Sequence, residues 1–336
     1  GYKLILLDNF SNSSPIALEQ IIHLSNIQKK EAEKRISIFN GDVRDFSLLE
    51  DIFAIAERNG DKIYSVIHFA GLKAVGESFE KTIDYWDNNV GGTITLLKAM
   101  EKNSCRSIVF SSSATVYGTT KEKALIETDP ISPINPYGST KATIEKILSN
   151  IAGCESTKIA QQFSTKGWKI ACLRYFNPAG AHPSGKIGEN PTNIPNNLIP
   201  LINQVAIGKK KFLTIFGNDW PTADGTCIRD YVHVMDIAEG HKAALDALIC
   251  SDPQLLIINL GSGIGTSVLD LIKMFELTTG QNIHYKFGPR REGDSATSLA
   301  NPREALKYLK WNPKRNIKDI CRDAWNWQSK NPIGYK

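Results

Sequence analysis

SSSATVYG at residues 111–118 and YGSTK at residues 137–141 give the clearest structural signal in this chain. The apolar run Ser107–Phe110 leads into the first segment and predicts a buried strand. Tyr137 and Lys141 are four residues apart at the start of a long amphipathic stretch, so they share one face of a predicted helix. A strand that ends in serines, followed by such a helix, indicates one β-then-α unit of a larger array.

The same β-then-α order repeats through the first half of the chain. Short apolar runs that alternate with amphipathic stretches predict a parallel, doubly wound sheet, which is a Rossmann-type α/β fold. The predicted strands are Lys3–Leu7, Ile36–Phe39, Ile63–Phe69, Ser107–Phe110 and Lys169–Leu173, and the predicted helices are Ala17–Gln28, Ser47–Arg58, Thr82–Lys102 and Tyr137–Ser164.

The texture of the sequence changes after Asn177. Pro178–Pro200 is rich in Pro, Gly and Asn and predicts an irregular segment outside the sheet. We therefore expect a Rossmann-type domain at residues 1–176 and a smaller α/β substrate-binding domain at residues 177–336. The elements predicted in the second domain are a helix at Asp236–Leu248, a strand at Leu255–Leu260 and a helix at Ser267–Thr278, with a tight turn at Gly261–Gly265.

Gly1 already stands before what the pattern predicts to be the second strand of the Rossmann unit. Such a unit opens with a strand, a glycine-rich loop and a helix whose N-terminus holds a pyrophosphate. Gly1-Tyr2 resembles the turn after that helix, so we expect about two dozen further residues before it. A chain that truly began here is expected to lack the pyrophosphate-binding site. The alternative to an active enzyme is therefore an inactive fragment.

The composition restricts the function classes. The net charge of +5 is spread along the chain, and Lys209–Lys211 is the only short basic cluster, which argues against nucleic-acid binding. The six cysteines form no CxxC pair and the six histidines are scattered, so we expect no metal site or disulfide framework, and a cytoplasmic location. No apolar run approaches the roughly 20 residues of a membrane span, so we expect no membrane partner.

Ser113, Tyr137 and Lys141 carry the predicted chemistry. A lysine ammonium beside a phenol favours the phenolate and is expected to lower a tyrosine pKa that is otherwise about 10. The phenolate can take a proton from a sugar hydroxyl while a hydride leaves the same carbon. Ser113, at the end of its strand, can hydrogen-bond that hydroxyl and relay the proton.

Residues after the other predicted strands suit a dinucleotide. Asp8 can accept both ribose hydroxyls and would repel a 2′-phosphate, which favours NAD over NADP, although a turn aspartate is the alternative. Asp42, before Val43, can accept from the adenine amino group or cap the next helix. The small residues of Phe69–Lys73 let the backbone approach a dinucleotide, and Asn88 can tie the neighbouring loop through its amide.

Seven segments resemble UDP-glucose 4-epimerases, which are NAD-dependent members of the extended short-chain dehydrogenase/reductase family. The resemblance runs from Tyr2 to Tyr335 in order and spacing. It implies interconversion of UDP-glucose and UDP-galactose, with NAD as cofactor, a UDP-hexose as substrate and a homodimer as the assembly. The segments are HFAGLKAVGES (68–78), SSSATVYG (111–118), NPYGSTK (135–141), RYFNPAGAHPSG (174–185), IPNNLIP (194–200), IFGNDWPTADGTCIRDYVHVMD (215–236) and PRREGD (289–294).

The resemblance also implies two sets of site residues. For NAD it implies Asp8, Asn9, Phe10, Ser11, Asn12, Ser13, Asp42, Val43, Phe69, Ala70, Gly71, Lys73, Asn88, Ser113, Tyr137, Lys141 and Phe176. For the sugar nucleotide it implies Ser113, Tyr137, Asn177, Asn197, Leu198, Phe216, Arg229, Arg291, Asp294 and Ser298.

The chemistry of the second set is consistent with this assignment. Arg229 and Arg291 can clamp a diphosphate with charge-assisted, planar donors, and Asp294 can accept from uridine ribose hydroxyls. At the position of Ser298 the family carries either a tyrosine or a small residue beside the hexose 2-substituent. A serine leaves room for an N-acetyl group, so UDP-GlcNAc and UDP-GalNAc are expected substrates as well.

Two enzymatic alternatives share this fold. Sugar-nucleotide dehydratases carry an Asp-Glu pair directly after the serine or threonine, whereas Ala114-Thr115 stand there in this chain, which argues against dehydration. Epimerases acting on UDP-glucuronate or UDP-xylose are not separated from a UDP-hexose epimerase by these motifs.

Overall fold

The computed structural model describes residues 2–25, 28–119, 123–153, 167–191, 195, 197–252, 254–291 and 293–335. The strands in chain order are β1 (Leu4–Asp8), β2 (Ile36–Asn40), β3 (Val66–His68), β4 (Ser107–Ser113), β5 (Lys169–Tyr175), β6 (Asn177–Ala179), β7 (Leu213–Phe216), β8 (Ile228–His233), β9 (Gln254–Leu260), β10 (Gly265–Ser267), β11 (Tyr285–Gly288) and β12 (Thr297–Ser298).

The helices surround these strands. In chain order they are α1 (Pro15–Leu24), α2 (Lys29–Arg35), α3 (Phe46–Arg58), α4 (Val75–Glu80), α5 (Thr82–Tyr85), α6 (Gly92–Lys102), α7 (Pro136–Ala152), α8 (Leu198–Ala206), α9 (Val234–Ile249), α10 (Val268–Thr279), α11 (Arg303–Leu309) and α12 (Ile317–Lys330). A π-helical turn at Trp86–Gly91 joins α5 to α6, and a 3-10 turn at Ala114–Tyr117 follows β4. Within the described ranges, no helix is both long and apolar enough to cross a membrane.

The central sheet is parallel and has the order β3-β4-β5-β9. Strand β1 pairs in parallel with β2 in a separate two-stranded sheet. Every residue of β4 is buried, as its continuous apolar run predicts for a strand covered on both faces. The predicted α/β, Rossmann-type fold is confirmed.

Alternation along β4 shows how helices cover both faces. Ile108 and Phe110 pack in one hydrophobic cluster, which also contains Leu148 of α7. Val109, between them, packs in a second cluster with Leu248 of α9. Successive side chains of a strand point to opposite faces, so α7 and α9 lie on opposite sides of the sheet. This two-sided cover is the doubly wound arrangement predicted from the sequence.

One predicted helix is divided. The stretch predicted as Thr82–Lys102 consists of α5, the π turn Trp86–Gly91 and α6. A π turn inserts one extra residue into a helical turn, which the spacing of apolar residues does not reveal. The predicted helix Tyr137–Ser164 begins at Pro136, and Gly153 caps its described part in the left-handed conformation with φ 72°; residues 154–166 lie outside the described part of the chain.

The second half of the chain builds smaller sheets and also contributes to the central one. Strand β8 lies between β10 and β12 and also pairs with β6, while β7 pairs with β11. The stretch predicted to be irregular after residue 177 thus contains the short strand β6 and leads into α8. Strand β9 pairs with β5 although it follows residue 177 in the chain. The division into residues 1–176 and 177–336 stays a prediction.

The glycine-rich turn at Gly261–Gly265 is confirmed, with a short strand, β10, between it and α10. Its backbone amides serve the protein itself. The N–H groups of Ser262 and Gly263 donate to the buried carboxylate of Asp230 at 2.8 and 2.9 Å. These donors therefore hold a side chain of the same protein.

Candidate active site

The predicted site residues follow the carboxyl ends of the parallel strands. Asp8 is the last residue of β1, Ser113 is the last residue of β4, and Phe176 follows β5. Asp42 and Phe69 lie in the loops after β2 and β3. Open α/β sheets bind ligands in the crevice outside these ends, so the topology itself brings functional side chains to this edge.

Helix α7 carries the tyrosine and the lysine. The side chain of Asn135 caps the helix by accepting from the N–H of Gly138 at 2.7 Å, and Pro136 occupies the first turn. Tyr137 and Lys141 are 7% and 4% exposed. The Nζ of Lys141 lies 5.8 Å from the centroid of the Tyr137 ring, which confirms that the two share one face of the helix.

Ser113 lies beside this pair. Its Oγ accepts hydrogen bonds from the backbone N–H of Thr115 at 3.2 Å and from the Thr115 hydroxyl at 2.9 Å. Ser113 also acts on the phenol of Tyr137, whose pKa it lowers by hydrogen bonding. The structure therefore brings together the three residues predicted to carry the chemistry.

The electrostatics of this group differ from the prediction. Burial raises the pKa of Tyr137 above its usual value, neighbouring Tyr175 raises it further, and the hydrogen bond to Ser113 only partly opposes them. Burial also lowers the pKa of Lys141 to about 8, against the charge of Glu145. Lys141 directs its ammonium to the carbonyl oxygen of Ser111 at 2.7 Å. The expected lowering of the Tyr137 pKa is therefore not found: the pKa is raised, because desolvation of the phenolate dominates.

The loop after β3 is tied by Asn89, not by Asn88. Asn89 is 1% exposed, and its Oδ1 accepts from the N–H of Leu72 at 2.8 Å. Its Nδ2 donates to the carbonyl oxygen of Leu72 at 3.0 Å and to the hydroxyl of Thr140 at 3.1 Å. Asn88 donates to Asn89 at 3.0 Å. Two adjacent asparagines are present in the sequence, and both lie in the π turn. The geometry of that turn determines which of the two side chains points to the loop.

The loop after β1 is held by its own side chains. The Oδ1 of Asp8 accepts from the N–H of Phe10 at 2.8 Å and from the hydroxyl of Ser13 at 2.9 Å. Phe10 adopts φ 51°, in the left-handed region. Asp8 therefore stabilises this turn, as expected from the alternative interpretation of Asp8 as a turn aspartate. Its contact with a ribose stays a prediction.

Asp42 does not cap the following helix. The N-cap of α3 is Asp45, whose side chain accepts from the N–H of Leu48 at 3.0 Å. Asp42 instead accepts from Arg44 through both oxygens and from the amide of Asn9 at 3.2 Å. Hydrogen bonds from Arg44 hold the pKa of Asp42 well below its usual range. The capping alternative for Asp42 is therefore wrong.

Glu189 connects the predicted cofactor loop with the predicted substrate site. Its Oε1 accepts from Lys73 at 3.3 Å and from the amide of Asn197 at 3.2 Å. Asn197 occupies the N-cap position of α8, and Leu198 is the first residue of that helix. Sequence reasoning missed Glu189, because nothing in the local pattern around it distinguishes it from a surface carboxylate.

A second cluster contains most of the predicted sugar-nucleotide residues. Arg291 donates to Asp294 at 2.9 Å and lies with its guanidinium 5.6 Å from the ring centroid of Phe216. Arg229 lies 3.7 Å from the same carboxylate and pairs across strands with Ser298. Two guanidinium groups on one carboxylate leave net positive charge, which suits a diphosphate. Asn177 lies on β6, which pairs with β8.

No group of three or more His, Cys, Asp or Glu side chains in the described ranges is arranged to hold a metal ion. The cysteines at positions 105, 172, 227, 250 and 321 are free thiols.

Comparison with known proteins identifies the family of this chain. Residues 1–324 match the family described as GDP-mannose 4,6 dehydratase. UDP-glucose 4-epimerase 2 of Arabidopsis thaliana is 47% identical over 335 residues, which cover 100% of this chain and 90% of that protein. UDP-glucose 4-epimerase of Bacillus subtilis is 46% identical over 336 residues, covering 100% and 92%. The structure of UDP-glucose 4-epimerase from Bifidobacterium longum in complex with NAD+ and UDP has 43% identity and a TM-score of 0.88, covering 100% of this chain and 93% of that one. The chain therefore belongs to the family described as GDP-mannose 4,6 dehydratase and, within it, to the UDP-glucose 4-epimerases.

Proposed function

We propose that this chain interconverts UDP-glucose and UDP-galactose by oxidation and re-reduction at C4 of the hexose, with NAD as a bound cofactor. The observation that carries the proposal is the buried group of Ser113, Tyr137 and Lys141 at the carboxyl end of the central sheet. The resemblance to epimerases over the whole chain supports the choice of substrate.

The residues at the strand ends fit NAD. Asp8 closes β1, where a carboxylate suits ribose hydroxyls and disfavours a 2′-phosphate. Gly71 lies so near Asn89 that an added Cβ would be 3.2 Å from its Oδ1, so a side chain at this position would crowd the amide that ties the loop. When bound there, NAD supplies a hydride acceptor and donor for C4. The residues that would hold it are Asp8 to Ser13, Asp42, Val43, Phe69 to Gly71, Lys73, Asn88, Ser113, Tyr137, Lys141 and Phe176.

Tyr137 moves the proton in this mechanism. Its phenolate, assisted by Ser113, takes the proton from O4 of the hexose when C4 is oxidised, and the resulting phenol returns that proton when C4 is reduced. Burial raises the pKa of Tyr137, so the phenolate needs positive charge nearby. Lys141 and the positively charged ring of a bound nicotinamide are the sources of that charge.

The second cluster holds the diphosphate and the nucleoside. Arg229 and Arg291 bind the phosphates, and Asp294 accepts from the uridine ribose. With UDP held in place, the 4-keto sugar turns about its link to the diphosphate and presents its opposite face to the same hydride donor. Asn177, Asn197, Leu198 and Phe216 complete the contacts.

Ser298 sets the size of the 2-substituent that the site accepts. Its short side chain on β12 lies opposite Arg229 on β8, at the substrate cluster. We propose that this space admits an N-acetyl group, so that UDP-GlcNAc and UDP-GalNAc are also interconverted. We further propose that the protein works as a homodimer in the cytoplasm, in keeping with its free thiols.

Dehydration is the alternative that the family description raises. The residues after Ser113 are Ala114 and Thr115. Thr115 donates both its N–H and its hydroxyl to the Oγ of Ser113. Neither residue can act as the acid or base that elimination of water requires, so the site favours epimerisation.

The test is turnover of UDP-galactose to UDP-glucose with added NAD, measured beside UDP-glucuronate and UDP-xylose. We expect conversion of the UDP-hexose with no net change in NADH absorbance. Faster conversion of UDP-glucuronate or UDP-xylose, or a dehydrated 4-keto product, would contradict the proposed substrate or reaction.

A further inference from the structure

Glu145 lies on the face of α7 that carries the tyrosine and the lysine. It follows Lys141 by four residues, as Lys141 follows Tyr137. Residues at this spacing are neighbours on a helix surface, so the three side chains form one row. Glu145 is 6% exposed. A buried carboxylate in this row is not part of the proton transfer described above, and it needs a separate explanation.

The carboxylate of Glu145 is fully engaged. The Oε1 accepts from the hydroxyl of Ser112 at 2.5 Å and from the Nε of Arg174 at 2.9 Å. The Oε2 accepts from the Nη2 of Arg174 at 2.6 Å. Arg174 is 2% exposed and also donates to the hydroxyl of Tyr117 at 2.9 Å. This bidentate, charge-assisted pair holds the side chain of Glu145 in one orientation.

The pair connects the elements that bear the reacting groups. Ser112 on β4 directly precedes Ser113, and Arg174 on β5 precedes Phe176 by two residues. Glu145 itself lies on α7, one turn beyond Lys141. A buried ion pair is weak support for stability, since a well-packed apolar pair of similar size serves as well or better. Its location behind the site therefore points to a role in the chemistry.

The charges around Lys141 make that role specific. His68 on β3 faces Lys141 and is neutral near pH 7, because burial and the lysine charge lower its pKa to about 3. Tyr137 on the same helix has a raised pKa. Tyr175 on β5 also has a pKa raised by burial and stays protonated. Glu145 is the one anion among these neighbours, and it opposes the fall in the lysine pKa that burial causes.

We propose that Glu145, held by Arg174 and Ser112, is a positioning residue that keeps Lys141 charged and directed at the Ser111 carbonyl behind Tyr137. Its effect on turnover rests on the proposed function. Its effect on Lys141 does not depend on the substrate, so the role of Glu145 and the proposed function can be refuted separately.

The first experiment titrates Lys141 directly. Protein with 13C at the lysine Cε is followed by NMR across pH 6 to 11, with Lys141→Met to assign the signal. In Glu145→Gln the midpoint of Lys141 is expected to fall by about one unit or more, because the nearest anion is lost. Asp236→Asn is the matched control, since it neutralises another buried partner of an arginine, Arg315. That variant should leave the Lys141 midpoint unchanged. An unshifted midpoint in Glu145→Gln would overturn the proposal.

Turnover gives the second readout. A lysine cation is lost as pH rises through its pKa, so the alkaline limb of the kcat profile should move to lower pH in Glu145→Gln. At a pH near 8 the charged fraction would fall from about a half to about a tenth, and kcat about fivefold. A uniform loss of kcat with an unmoved limb would show a merely structural role and overturn the proposal.

A double variant guards against misfolding. If Glu145→Gln alone does not fold, Arg174→Met is added to it, which removes both buried charges and restores neutrality. The Lys141 midpoint is still expected to fall, because the anion next to it is gone. A wild-type midpoint in the folded double variant would overturn the proposal. Wild-type protein that fails to convert UDP-galactose would overturn the proposed function and leave the NMR result to decide the role of Glu145.

Discussion

Tyr137→Phe removes the group that is proposed to move the proton and leaves its surroundings intact. Loss of a positioned acid–base group costs typically ~10²–10⁴-fold in rate. We expect kcat for UDP-galactose to fall by about 10²–10⁴-fold or more, with little change in KM. KM should hold because the diphosphate contacts of Arg229 and Arg291 are untouched.

The cost to stability can be worked out from the contacts. The ring of Tyr137 is 7% exposed and keeps its packing in the variant. At most one hydrogen bond, to Ser113, is lost with the hydroxyl, and Ser113 keeps both bonds from Thr115. Such a bond contributes about 1 kcal/mol. For a chain of this size the melting temperature should therefore fall by no more than about 3 °C.

The assay couples formation of UDP-glucose to an excess of a UDP-glucose dehydrogenase, in parallel with thermal unfolding. Binding of UDP, measured by calorimetry, is the control for an intact substrate site. A variant that folds, binds UDP and keeps more than about a tenth of wild-type kcat would refute the role of Tyr137.

Three further substitutions, together with one control substitution, test the loop after β3, a tight turn and the proposed hexose pocket. Asn89→Ala removes the hydrogen bonds that tie the loop after β3. It should lower the free energy of unfolding in urea by about 2–3 kcal/mol and also lower turnover. A loss below about 0.5 kcal/mol would mean that other contacts hold the loop. Gly118→Ala places a Cβ 1.9 Å from the carbonyl oxygen of Ser132 at φ 70°, so it should destabilise by about 2 kcal/mol or more. Gly76→Ala, with nothing within 4 Å, is its matched control and should be neutral or stabilising; equal melting temperatures for the two variants would contradict the steric argument. Ser298→Tyr should reduce UDP-GalNAc turnover at least about tenfold and change UDP-galactose turnover much less; unchanged N-acetyl turnover would show that Ser298 does not set the pocket size.

The sequence predicted the central sheet well because its signals are local. Continuous apolar runs mark β4 and β5, and alternation within β4 divides its side chains between two hydrophobic clusters. The four-residue spacing of Tyr137 and Lys141 placed both on one helix face, and the structure confirms it. These features depend only on the periods of strand and helix.

The remaining features depend on long-range structure. Which of Asn88 and Asn89 faces the loop follows from a π turn that no local pattern announces. The direction of the Tyr137 pKa shift follows from burial by distant segments, which outweighs the opposing effect of Ser113. Glu189 links Lys73 to Asn197 across 116 and 8 residues of sequence. The roles of such residues depend on contacts between distant segments, so they can be assigned only once the fold is known.

In the proposed mechanism C4 is oxidised and then reduced by the same returned hydride. The most direct test is conversion of UDP-galactose carrying deuterium at C4, run in ordinary water with NAD and analysed by NMR of the product. We expect UDP-glucose that keeps its deuterium at C4, because the hydride never exchanges with solvent. UDP-glucose with hydrogen from water at C4 would contradict the claim and indicate removal of that hydrogen as a proton.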